Sequence, residues 1–443
     1  MKYKLSHVQV IALGYLLMIL LGTGLLMLPV SSADGVSAPF RTAFFTATSS
    51  SCVTGLILRD TATGWSFFGQ AVLLVLIQIG GLGFMTIATF MYHVTRRRMG
   101  LRQREIMLES INNSQINGIL KLTGEIIALT ALFEGTGALL LATRFIPLLG
   151  WKKGIWYSIF HAVSAFCNAG FDLMGFEEPF GSFVHHASDP VLTLTLSALI
   201  INGGLGFLVW HDVRVCGFRW KKYSVHTKLV LATSLLLLFG GAAVFLLTER
   251  DATGSGLSPA GRVLTAFFAS VTARTAGFNT VDIASMSGGS KLLTILLMVV
   301  GGSPGSTAGG VKTSTVAVIA LTTFAGFRGK KRPVLFGRSI SNSTYQKSCN
   351  ILFFNGSIAL LAALVISATQ PLDLVDILFE TFSAIGTVGM TAGITRALTP
   401  FNSYLIALLM YMGRVGSVSF AVALLEKKAA PPVQYPEAQI TVG

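Results

Sequence analysis

"FSAIGTVGMTAGI", residues 382–394, breaks a strongly apolar part of the chain with the short polar run Thr387-Val388-Gly389. Hydrocarbon offers backbone amides no partner, so non-helical chain at membrane depth survives only where protein buries it or where it lines a watery path. Carbonyl oxygens of such a turn can replace the hydration shell of a cation, and glycine permits the dihedrals needed to aim them. The short helix before the turn also points its negative C-terminal end at the same spot. This stretch therefore reads as one strand of an ion filter.

The rest of the chain supports a membrane setting. Of 443 residues 52% are hydrophobic and 12% charged, with mean hydropathy +0.69, against about 25% charged in ordinary soluble proteins. Apolar segments fall near 8–29, 65–92, 122–146, 190–210, 228–247, 290–323, 350–369 and 402–425, which predicts eight spans. The run from Val8 to Val30 is too long for a signal-peptide core and reads as the first helix.

Three further stretches match the opening one: "FTATSSSCVTGL" from Phe45, "FHAVSAFCNAGF" from Phe160 and "FFASVTARTAGF" from Phe267, beside "FETFSAIGTVGM" from Phe379. In each, a Phe precedes a Gly by ten residues, and the glycines Gly55, Gly170, Gly277 and Gly389 lie 115, 107 and 112 residues apart. So long a period is no solenoid. It predicts an all-α polytopic protein of four span, pore-helix, turn, span units around one axis: residues 1–94, 95–213, 214–324 and 325–428, with a tail at 429–443.

These four units and their flanking spans resemble the Trk/Ktr/HKT superfamily of potassium transporters, most closely the membrane subunit of the bacterial Ktr type, over almost the whole chain. The resemblance implies filter turns at Val53-Thr54-Gly55, Asn168-Ala169-Gly170, Thr275-Ala276-Gly277 and Thr387-Val388-Gly389. Only the fourth keeps Thr-Val-Gly in full, which implies fewer ordered ion sites. Plant members with Ser at the first filter glycine tend to select sodium; here that position is Gly55, so potassium is the expected ion, with sodium modulation left open.

A glycine cluster recurs in the second span of each unit, at Gly80, Gly203, Gly301 and Gly413. Close helix packing suffices for Gly80 and Gly203. "GGSPGSTAGGVKTS" from Gly301 is too rich in glycine and proline to remain helix. It is no phosphate-binding loop either, because Val311 separates Gly310 from Lys312 and no soluble strand precedes it; no nucleotide is expected on this chain. The resemblance implies instead an intramembrane gate within 301–313: Gly302, Ser303, Pro304, Gly305, Ser306, Thr307, Ala308, Gly309 and Gly310, with Lys312 sharing the role or snorkelling, and Arg414 supplying a positive barrier from the fourth unit.

Lys and Arg cluster in the connections 93–121, 211–228 and 325–347, and with Lys2, Lys4, Lys427 and Lys428 these account for 21 of 33. The positive-inside rule makes that side cytoplasmic, with both termini inside, and the resemblance implies a bacterial inner membrane as the setting. The +14 charge thus needs no nucleic acid. The opposite face carries Asp34, Asp60, Asp172, Glu177, Glu178, Asp189, Glu249, Asp251 and Asp282, either a weak cation attractor or ordinary loops. The resemblance further implies a homodimer with the tail at its interface, and a separate cytosolic nucleotide-binding ring on the basic face.

Near the filter, Cys52 and Cys167 read as free buried thiols, and His161 as packed behind the second turn. Arg274 is expected to point behind the filter, with Glu380 as one candidate partner. The competing reading is a proton- or sodium-coupled secondary transporter using Glu134, placed on the outer scaffold. No His, Cys or carboxylate cluster has the spacing of a metal site or a nucleophile, so an enzyme is not expected.

Overall fold

The computed structural model describes residues 7–83, 86, 119–250, 252–330 and 332–416. The C-terminal tail and most of the first basic connection lie outside the described residues.

Among the described residues four single helices are long and apolar enough to cross a bilayer: Val8–Leu26, Thr123–Leu149, Val225–Thr248 and Asn342–Thr369. Each opens one repeat. A short amphipathic helix follows in each, Phe40–Ser51, Trp151–Phe166, Pro259–Thr272 and Leu374–Gly386. Their starts are set locally: Ser258 Oγ accepts from Gly261 N and Asp373 Oδ1 from Val375 N, satisfying amides that a helix N-terminus leaves open.

Within the described residues the second helix of each repeat is shorter than one continuous span. Phe67–Leu82, Pro190–Leu205, Gly288–Val299 and Pro400–Val415 hold 16, 16, 12 and 16 residues; 16 residues of α-helix reach only about 24 Å, less than the ~30 Å of a hydrocarbon core. Gly83, Gly206 and Gly416 end three of them at φ 84°, 93° and 95°, a region L side chains rarely adopt. At Gly206 the chain turns by 91° into Phe207–Cys216. In the third repeat residues 300–312 form a loop before Thr313–Phe327 resumes the helix.

The long first helices form the scaffold. Tyr15, Met18 and Leu26 of the first pack against Ala43 and Ala47 of the first short helix and Leu73 and Leu76 of the next. Leu17, Leu21, Leu139, Leu236, Leu247 and Leu364 stand exposed on the outer faces, as lipid-facing positions require. A two-stranded hairpin, Val334–Leu335 with Arg338–Ser339, precedes the first helix of the fourth repeat.

Candidate functional site

The four short helices end on their glycine turns with one backbone device. Two residues before each glycine, Val53, Asn168, Thr275 and Thr387 take φ of 57°, 58°, 75° and 52°. Three of these are β-branched, for which the left-handed region is a genuine outlier that persists only where its surroundings over-determine it. Gly55, Gly170, Gly277 and Gly389 follow with positive φ as well.

Hydroxyls on the helices hold the turns. Ser49 Oγ accepts from Gly55 N (3.0 Å) and Ser383 Oγ from Gly389 N (3.1 Å). Ser164 Oγ donates to Phe171 O (2.6 Å) and Thr272 Oγ1 to Phe278 O (2.7 Å). The third repeat is one residue shorter here than its sequence alignment suggests. Ala276 N bonds Thr272 O four residues back, whereas Thr54, Ala169 and Val388 reach five back to Ser49, Ser164 and Ser383. Its buried anchor is accordingly Phe268, not Phe267, matching Phe45, Phe160 and Phe379.

The turns meet in a closed ring. A Cβ on Gly55 would lie 2.6 Å from Ala169 O, one on Gly170 2.8 Å from Ala276 O, and one on Gly277 2.7 Å from Val388 O. On Gly389 it would overlap Thr54 O outright. Each glycine thus faces the carbonyl of the next repeat, in the order one, two, three, four, one. Thr54, Thr275 and Thr387 are fully buried, and their hydroxyls have no protein partner. The Asn168 amide, its nitrogen turned toward Ala165 O and Ile200 O (3.2 and 3.3 Å), is committed to the wall.

Glycines of the second helices let them close on the ring. A Cβ on Gly80, Gly203 or Gly413 would collide with Ser51 O, Phe166 O or Ile385 O at the end of the adjoining short helix. Gly203→Ala should therefore destabilise by ~1–3 kcal/mol through overpacking, while Gly240→Ala, whose Cβ meets nothing, should be neutral or gain up to ~1 kcal/mol of helix propensity. Thermal midpoints of the detergent-solubilised proteins test the pair.

Below the ring lies the 300–312 loop. Gly309 and Gly310 press on Thr387 and Gly386, and Gly301 on Thr275. Ser303 N and Thr307 N donate to Gly204 O and Gly203 O (2.9 and 3.2 Å), Phe207 N donates to Gly305 O (2.8 Å), and Thr307 Oγ1 donates to Phe166 O (3.0 Å). The break at Gly206 thus makes room for the loop, since a Cβ there would sit 2.7 Å from Pro304 O. Lys312 does not snorkel: Nζ donates to Ala308 O and Gly309 O (2.6 and 3.2 Å). Arg414 donates to Thr307 O of the loop and to Gly80 O and Gly81 O of the first repeat.

Three charged side chains near the ring have partners other than those expected. Arg274 lies behind the ring, buried, but its partner is Ser234 Oγ (3.4 Å). Glu380 instead accepts from Thr391 Oγ1 (2.7 Å) and Thr395 Oγ1 (2.5 Å). Glu134 reaches past the scaffold to the back of the second turn, where it accepts from Gln78 Nε2 (3.3 Å) near Cys167 Sγ (4.0 Å). Cys52 and Cys167 are free and buried. His161 is buried, Nδ1 donating to Tyr157 O (2.7 Å) and Nε2 accepting from Leu173 N (3.0 Å).

Part of the acidic face is engaged by neighbouring side chains. Asp34 pairs with Arg59, Asp189 with Arg144, Glu177 with His186 and Glu178 with His185. The Val36 amide, and Arg59 beside it, hold the Asp34 carboxyl below the ordinary carboxylate range. Asp60 accepts from Thr63 N and Phe180 N. Asp251 lies outside the described residues.

Residues 6–430 match the TrkH family, described as cation transport proteins. The chain belongs to that family. This TrkH-family chain is 41% identical to the potassium/sodium uptake protein NtpJ of Enterococcus hirae, over 100% of the chain and 98% of that protein. It is 37% identical to the Ktr system potassium uptake protein B of Bacillus subtilis, over 98% and 96%. The crystal structure of the potassium transporter TrkH from Vibrio parahaemolyticus shares the fold, with a TM-score of 0.71 at 16% identity, covering 96% of this chain and 86% of that one. A cation transporter, not an enzyme, is thus what this fold serves.

Proposed function

We propose that the chain takes up potassium through the ring of Gly55, Gly170, Gly277 and Gly389. The observation that carries this is the ring itself: four strained turns, each glycine against the carbonyl of the next repeat, at the C-terminal ends of four short helices. Carbonyl rings of this kind substitute for the hydration shell of a cation, and the helix ends add negative potential. The filter comprises Val53, Thr54, Asn168, Ala169, Thr275, Ala276, Thr387 and Val388 with those glycines. Relatives named for potassium uptake, and glycine rather than serine at residue 55, support potassium as the ion; the name of the Enterococcus hirae protein keeps sodium as a second ion or modulator.

The loop at 301–313 acts as gate in this reading, with Lys312 and Arg414. The repeats divide at about 94, 213, 324 and 428. Membership of Ktr systems among the relatives supports a membrane subunit working with a regulatory partner, here a cytosolic nucleotide-binding ring on the basic face, on a homodimer in the bacterial inner membrane with both termini inside. Glu134, engaged by Gln78, gives no separate support to proton coupling.

The test is rubidium uptake into proteoliposomes holding the purified chain. Potassium should compete at least ~10-fold better than sodium, a difference of about 1.4 kcal/mol. Equal competition by the two ions would overturn the potassium reading.

A further inference from the structure

The position nine residues before the filter glycine differs among the repeats in a way the ring makes meaningful. It is Thr46, His161 and Glu380 in the first, second and fourth repeats; the one-residue shift puts Ala269 there in the third. Thr46 Oγ1 only donates back to Thr42 O within its own helix. Ala269 has nothing to offer.

His161 and Glu380 instead reach across to the chain that leaves the filter. His161 Nε2 accepts from Leu173 N, three residues past Gly170 (3.0 Å). With Nδ1 facing Tyr157 O (2.7 Å), the tautomer is fixed: Nδ1 carries the hydrogen and Nε2 the lone pair. The ring stacks on Phe145 at 5.0 Å, so it has no freedom to turn. Glu380 takes Thr391 Oγ1 on one oxygen (2.7 Å) and Thr395 Oγ1 on the other (2.5 Å). Thr391 Oγ1 in turn accepts from Gly393 N (3.0 Å). Both side chains are fully buried.

The ring order of the glycines places the second and fourth repeats diagonally across the pore. We infer that His161 and Glu380 are a diagonal pair of positioning residues that hold the outer ends of two opposite filter strands, and so set which cation the ring accepts. Neither touches the ion path. Each acts through the strand it holds: if Leu173 or Thr391 drifts outward, the glycine carbonyls two or three residues below lose their spacing, and a ring that can no longer fit one ion radius discriminates less. Among the described residues the first and third strands have no brace from this position; the third is held closer to its glycine by Thr272 Oγ1 on Phe278 O (2.7 Å) and tied to the neighbouring repeat by Phe183 N donating to Asn279 O (2.8 Å). Selectivity by fit therefore depends on the second and fourth repeats.

This inference rests on the filter reading, and the experiment keeps the two apart. Rubidium uptake by proteoliposomes is measured against potassium and sodium competition for wild type, Glu380→Ala, Glu380→Gln and the double variant Thr391→Val/Thr395→Val. Glu380→Ala should lose about tenfold in potassium over sodium preference with maximal uptake less affected. Gln, which keeps one acceptor oxygen, should recover most of it, and the double threonine variant should reproduce the loss with the carboxylate still present. Wild type without preference would sink the filter reading itself. A selective wild type with selectivity unchanged in the threonine double variant would sink the brace alone. Should Glu380→Ala fail to fold, the threonine variant and Glu380→Gln still decide.

Discussion

Gly389→Ser is expected to abolish potassium preference, with rubidium uptake down ~100-fold or more, equivalent to about 2.7 kcal/mol in the transport barrier. Its Cβ would overlap Thr54 O, a backbone atom that no rotamer change can move aside. The residue also sits at φ 88°, where any side chain is strained. The ring can accommodate the serine only by opening between the fourth and first repeats, which spoils the carbonyl spacing that selects one ion over another. The same substitution elsewhere should follow the space available. At Gly55, Gly277 and Gly170 the nearest carbonyl would stand 2.6, 2.7 and 2.8 Å from the new Cβ, so their losses should be smaller than at Gly389. Uptake with potassium and sodium as competitors measures this, and stabilisation of each variant by potassium against sodium in a thermal melt gives a readout that does not need transport. Equal, selective uptake by wild type and Gly389→Ser would remove the filter from this ring.

The features legible in the sequence are those where chemistry leaves one residue type no substitute. Glycine is required at 55, 170, 277 and 389 because a neighbouring carbonyl occupies the place of a Cβ, and that requirement produces the repeat. The loop at 301–310 was readable because glycine and proline there exclude helix. The rest depended on distances that a sequence does not carry. Phe267 and Phe268 adjoin, so the one-residue shortening of the third repeat is invisible until the hydrogen bond from Ala276 N to Thr272 O is seen. Val53, Thr275 and Thr387 carry no warning of positive φ, since β-branched residues normally avoid it. Gly206 lies beside a cluster that reads as helix packing, and that role is real for Gly203; the 91° bend arises because the loop needs the space. Arg274 and Glu380 carry opposite charges, but the carboxylate is taken up by two threonines, one on each oxygen. The acidic face is legible as a cluster of charges, but which of them face a cation, as Asp34 faces Arg59, depends on how neighbouring loops fold.

Releasing the loop should have the opposite effect to disturbing the ring. The loop is bonded along one side to the second repeat, through Gly203, Gly204, Phe207 and Phe166. Arg414 is its link to the other side, joining Thr307 O to Gly80 O and Gly81 O. It acts in two ways that substitutions can separate. As a charge below the proposed filter it would oppose a cation: a unit charge ~10 Å away at an effective dielectric of ~20 is worth about 1.7 kcal/mol, or more than tenfold in rate. As a planar fork it ties two walls together, which a lysine cannot imitate. Arg414→Gln removes both and should raise rubidium uptake by ~10-fold or more on that electrostatic scale. Arg414→Lys keeps the charge without the fork, so a rise there of only a few-fold would assign most of the closure to electrostatics, and a rise equal to that of Gln would assign it to the tether. Deleting residues 304–308 takes away Thr307 O together with the loop's bonds to the second repeat, except that of Ser303 N to Gly204 O, and should give the largest uptake of the three, still with potassium preferred because the ring above is intact. Uptake unchanged in the deletion would mean that the path does not pass through the loop, and the gate would have to be sought elsewhere in the chain.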